Sequence, residues 1–183
     1  MSRREMEMKK FGIILASLAL FFSLSTGVTA QAASQNLSTT NAVKIAANAS
    51  NHFWNALHGS KGNLCTQKTF NYKGTQYSYL CQDFNTKSKL VSYLSETFTN
   101  SAIQKGLTNY RYITYNGKLA RPVGDGFSML EWNKAKVKLT YQRADVRSYQ
   151  FTVPTVDGGS VKRTVTFYKS GSQWKVNKFD AVL

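Results

Sequence analysis

Two hydrophobic periods follow one another along the chain. In "STTNAVKIAANASNHFWNALHG", Val43, Ala46, Ala47, Ser50, Phe53, Trp54 and Leu57 recur at helical spacing. Thr and Asn cap candidates precede them and Gly59 follows, so the pattern predicts an amphipathic helix over 40–58. "KTFNYKGTQYSYLC" reads as two short strands about a turn at Lys73-Gly74. "NTKSKLVSYLSETF" predicts a second helix, capped by Asn85 or Thr86, with Leu90, Tyr93, Leu94 and Phe98 on its apolar face. "NSAIQKGL" predicts a short third helix that ends near Gly106.

Beyond it the period shortens to two. "NYRYITYNGKLARPV" carries Asn116-Gly117, the strongest short hairpin signal. "KAKVKLTY" alternates, with Val137, Leu139 and Tyr141 on one face and Lys134, Lys136 and Lys138 on the other. "RSYQFTVP" turns Tyr149, Phe151 and Val153 inward. A turn at Asp157-Gly158-Gly159 leads to "VKRTVTFY" and "QWKVNKF". Helices followed by antiparallel strands predict an α+β domain, about three helices covering one face of a curved antiparallel sheet.

The first 32 residues belong to another pattern. "MSRREMEMKK" supplies four positive charges, "FGIILASLALFFSL" an apolar run, and "AQA" a small-residue cleavage site near Ala32 or Ala33. This is a secretory signal, and the run is shorter than the about 20 residues that span a bilayer. We therefore expect a signal peptide over 1–32 and one domain over 33–183, outside the cell, with no transmembrane segment after processing.

Charge narrows the partners. The whole chain has 24 Lys and Arg against 9 Asp and Glu, a formal net charge of +15. An exported cationic protein meets anionic cell-wall polymers before it meets nucleic acid. The face carrying Lys134, Lys136 and Lys138 is the candidate grip on such a polymer.

Cys65 and Cys81 are the only cysteines, and outside the cell they can pair in one way. The alternative is two buried thiols. Candidate catalytic chemistry is sparse. His52 and His58 are six residues apart and do not share a helix face. No zinc-protease pattern, serine elbow or phosphate loop is present. We expect no catalytic residues, no metal and no cofactor. Trp54, Trp132 and Trp174 sit among apolar residues at core-like spacing, which favours packing over sugar stacking.

"RPVGDGFSML" is the unusual stretch. Asp125 is the only acid between Glu96 and Glu131, and it lies between Gly124 and Gly126 with Val123 and Phe127 as apolar shoulders. Two small neighbours let this backbone approach another surface closely. Met129, Leu130 and Trp132 follow and can anchor the stretch in the core. A plain turn remains the alternative.

With its signal segment, basic charge, helix-then-strand order and Val-Gly-Asp-Gly-Phe loop, the chain resembles the IseA family of proteinaceous inhibitors of bacterial cell-wall DL-endopeptidases. The resemblance covers the whole of 33–183. It implies a single hacksaw-like α+β domain, not an enzyme, acting as a monomer on cell-wall cysteine DL-endopeptidases. The inhibitory loop it implies is Val123, Gly124, Asp125, Gly126 and Phe127, entering the enzyme's active-site cleft and so restraining cell separation and wall turnover. Two other readings stand beside it: a basic wall-binding module with no enzyme target, and a small enzyme with its pocket inside the curved sheet.

Overall fold

The computed structural model describes residues 36–62, 65–124 and 126–183. The signal segment over 1–32 and Asp125 lie outside them.

The first helix, α1, spans Thr39–His58. Its cap is Ser38, one residue ahead of the Thr and Asn candidates; the Ser38 hydroxyl accepts from the Asn41 N–H at 3.2 Å. Gly59, at φ 79°, closes the helix. The buried face carries Ala42, Ala46, Ala49, Phe53 and Ala56, so short side chains bring neighbouring elements close to the helix. A hairpin follows, β1 (Thr69–Tyr72) and β2 (Thr75–Tyr79), turning at Lys73-Gly74 with both residues at positive φ. Cys65 and Cys81 are bonded to each other, with Cα atoms 6.1 Å apart.

Helix α2 (Lys87–Leu94) starts on Thr86, whose hydroxyl accepts from Lys89 N–H. Helix α3 (Asn100–Asn109) starts on Thr99 and runs three residues beyond the expected end at Gly106. That glycine is a packing residue. A Cβ on it would stand 2.3 Å from Phe179 Cγ, so its lack of a side chain admits Phe179 against the helix. Phe179 in turn meets Phe53 and Phe98 at centroid distances of 5.1 and 5.2 Å.

Strands β3 (Ile113–Tyr115) and β4 (Lys118–Pro122) flank Asn116-Gly117, both again at positive φ. They join the earlier hairpin in an antiparallel sheet of order β1-β2-β4-β3. A short 3-10 turn, Trp132–Lys134, leads to β5 (Lys136–Gln142), β6 (Val146–Pro154), β7 (Ser160–Ser170) and β8 (Gln173–Val176). These four form a meander. The class is α+β, with three helices and two antiparallel sheets among the described residues.

The meander's inner face buries Tyr149, Phe151, Val153, Val165, Phe167, Trp174 and Val176, continuous with the helical core. Trp132 is buried and donates its indole N–H to Val182 O at 3.1 Å. A bulge between Leu139 and Tyr141 changes one expectation: Tyr141 pairs with Ser148 and so leaves the face that holds Val137 and Leu139. The segment from 123 to 131 runs from the end of the first sheet to the start of the second.

Candidate functional site

This crossing segment carries the Gly-rich loop, and the structure fixes it at both ends. Val123 N–H donates to Gln76 O at 2.9 Å, which prolongs the β2–β4 pairing by one residue. The Arg121 guanidinium lies beneath the chain, with Nη1 donating to Pro122 O at 2.8 Å and reaching Gly124 O at 3.4 Å. At the far end Leu130 pairs with Thr155, and Glu131 N–H donates to Pro154 O at 2.8 Å. Ser128 Oγ accepts from Leu130 N–H at 3.1 Å and shapes the last bend.

Between these ties the two glycines differ. A Cβ built on Gly124 meets nothing within 4 Å. One built on Gly126 stands 3.1 Å from Trp54 Cζ3 and 3.4 Å from Cη2. Gly126 O lies 2.9 Å from His58 Nε2, which donates to it. The second half of the loop is therefore seated on the C-terminal turn of α1, while Gly124 faces open space. Val123 and Phe127 are both exposed, Phe127 by 73%.

The seat is firm. Tyr112 donates its hydroxyl to Ala56 O at 2.8 Å, and burial pushes that phenol far above its ordinary pKa. Trp54 stands edge-on to Phe53 at 5.5 Å. A cleft of about 300 Å³ opens behind the loop, among Trp54, His58, Tyr110, Arg111, Tyr112 and Arg121. A second hollow, of about 470 Å³, lies on the side of Ser60, Cys65 and Gln67. Gly124 and Gly126 border both hollows.

Of the expected loop residues, Val123, Gly124, Gly126 and Phe127 are together on this segment; Asp125 lies outside the described residues. Met129 is not the core anchor expected of it. It is 38% exposed, because its carbonyl rather than its side chain makes the fixing contact, from Val156 N–H at 3.0 Å. Leu130 and Trp132 do the anchoring. Trp54 packs against the core as expected and in addition meets the loop. His58, expected only not to share a helix face with His52, bonds the loop across 68 residues of sequence. No local pattern announces such a contact.

The three lysines do not form one strand face. Lys134 lies in the 3-10 turn and pairs with Glu131 at 2.6 Å. Lys136 and Lys138 pair across the meander with Thr152 and Gln150, and these with Lys162 and Thr164, so Lys162 joins them on the outer face. The four strands of the meander contain no Asp or Glu.

The arrangement suits binding better than catalysis. Both cysteines are in the disulfide. His52 stacks on Tyr93 at 4.0 Å and bonds Thr97 Oγ1 at 3.2 Å; burial, against the pull of Glu96, lowers its pKa. No helix among the described residues is long and apolar enough to cross a membrane.

Comparison with known proteins gives two findings. The model of a family described as IseA DL-endopeptidase inhibitor matches residues 33–181. A Bacillus subtilis (strain 168) protein described as uncharacterized protein YoeB is 45% identical over 181 residues, covering 96% of this chain and all of that one.

Proposed function

The chain belongs to the IseA DL-endopeptidase inhibitor family, a family of inhibitors rather than enzymes, and from that membership we propose that it inhibits by plugging. The loop around Gly124 and Asp125 enters the active-site cleft of an exported cysteine DL-endopeptidase and blocks access to the nucleophile. The observation that carries this reading is the loop's construction: an open position at Gly124 between ties to Gln76 and Pro154, with its second half braced by Trp54 and His58. Ends already tied down reduce the conformational entropy lost on docking. Asp125 supplies a carboxylate, the group suited to a cationic cleft.

The protein acts after export, once the segment over 1–32 is removed, as a monomer in the cell wall, and restrains cell separation and wall turnover. Retention there is electrostatic. Meander strands without carboxylates, bearing Lys136, Lys138 and Lys162 on their outer face, favour contact with anionic wall polymers. The same observation supports the second reading, wall binding with no enzyme target.

One assay decides between them. Mature protein is added to a purified cysteine DL-endopeptidase digesting peptidoglycan. Plugging predicts stoichiometric inhibition, strongly weakened by Asp125→Ala and further by Asp125→Lys, since losing a desolvated charge partner costs about 2–5 kcal/mol and reversal adds repulsion. Undiminished inhibition by a folded Asp125→Lys variant would sink the loop mechanism. No inhibition by the parent, with wall binding intact, would leave the wall-binding reading.

A further inference from the structure

A five-residue tip is too small to be a whole interface. Specific protein complexes bury about 800 Å² on each partner, roughly 20–30 residues a side. Some neighbouring surface must complete the contact, and the exposed apolar side chains show where. Among the described residues the large hydrophobics with substantial exposure are Val123, Phe127, Met129, Leu139, Tyr141, Val156 and Tyr168. Four of these seven lie on the crossing segment or at the tip of the β6–β7 hairpin bonded to it. Val156, at the hairpin tip, is 64% exposed.

The pairing explains why they gather. Leu130 and Thr155 are antiparallel partners, and Val156 N–H donates to Met129 O at 3.0 Å. Partners across an antiparallel pair point to one face, and the next residues point to the other. Leu130 packs toward the core, so Met129 and Val156 both point away from it. Charge marks the same edge. Residues 33–183 contain seven carboxylates, and three of them, Asp125, Glu131 and Asp157, belong to this segment and this hairpin. Asp157 is held ionised by hydrogen bonds from the Thr155 hydroxyl and the Gly159 N–H. In a protein so basic, this is an apolar and acidic edge.

We infer that the tip of the β6–β7 hairpin, Val156 and Asp157, joins Phe127 and Met129 as a second half of the inhibitory surface, docking on the rim of the endopeptidase cleft while the loop enters it. The inference rests on the plugging reading and adds the rim contact to it. The fitting partner surface is an apolar rim bordered by cationic side chains. The sequence alone makes Asp157 a plain turn residue; only the pairing at Leu130 carries it to the loop.

The test is inhibition of a purified cysteine DL-endopeptidase on peptidoglycan, by mature protein carrying Val156→Ser, Val156→Lys or Asp157→Asn. Val156→Ser should raise the inhibition constant about tenfold, the scale of losing buried methyl groups. Val156→Lys should raise it further, and Asp157→Asn should slow association and reduce its salt dependence. Tyr168→Ser, exposed at the end of β7 remote from the hairpin tip, should match the parent. An inhibition constant for Val156→Ser within twofold of the parent overturns the rim contact while leaving plugging intact. So does equal weakening by Tyr168→Ser. Failure of the parent to inhibit removes both ideas. If Val156→Ser misfolds, methyl NMR of the parent with a catalytically dead enzyme decides: shifted or broadened Val156 methyl signals support the contact, and unmoved ones overturn it.

Discussion

Replacing each loop glycine by alanine separates a seated residue from an open one. At Gly126 the new Cβ would lie 3.1 Å from Trp54 Cζ3, where ordinary carbon contacts begin near 3.5 Å. Relief needs a shift of about 0.4 Å, by the loop or by the indole. The indole is restrained by Phe53, edge-on at 5.5 Å. Moving the loop instead lengthens the 2.9 Å bond from His58 to Gly126 O toward the edge of hydrogen-bonding range. Overpacking costs about 1–3 kcal/mol in a closed core, and at this half-open site we expect the lower end, about 1 kcal/mol. For a domain of this size that lowers the melting temperature by about 2–4 °C. At Gly124 a Cβ meets nothing, so Gly124→Ala should stay within about 0.5 kcal/mol of the parent. Scanning calorimetry of both variants measures this. Combining Gly126→Ala with Trp54→Leu should recover part of the loss, because the two residues touch. Equal melting temperatures for Gly124→Ala and Gly126→Ala would refute the seating of the loop on α1.

Other consequences follow from other parts of the molecule. Non-reducing mass spectrometry of exported protein should find Cys65 linked to Cys81. Replacing both by Ser should cost about 3 kcal/mol, with unchanged stability as the contrary result. Burial holds His52 below its ordinary value of 6.5, so as pH falls below that value the unfolded chain takes up the proton first and stability declines, whereas above it none is lost. His52→Gln should therefore flatten the fall in melting temperature as the pH drops below about 6.5, and an identical pH profile would count against the assignment. Changing Lys136, Lys138 and Lys162 to Gln should weaken wall binding at low salt, where charges act beyond about 10 Å. Lys134→Gln alone should do little, since Lys134 is engaged by Glu131 in the 3-10 turn. Equal wall binding by the triple variant would remove this face as the grip.

The sequence by itself determined the parts whose causes are local. The α1 pattern from Val43 to Leu57, the Thr86 cap and the positive-φ turns at Lys73-Gly74 and Asn116-Gly117 depend on a few consecutive residues. The same holds for the α+β class, which follows from the order of those elements. Contacts between distant residues were decided only by the tertiary structure. Gly106 reads as a helix stop, but Phe179, 73 residues away, makes it a packing site inside α3. Tyr141 reads as inward by alternation, and one bulge turns it outward, because a period of two transmits a single inserted residue to every later position. The loop shows the division most clearly. Its glycines and its acid are visible in "RPVGDGFSML", yet the difference between Gly124 and Gly126 exists only because α1 brings Trp54 and His58 beneath one of them. A glycine's spacing says that the chain can come close to something; which surface it meets is set by how the whole domain packs.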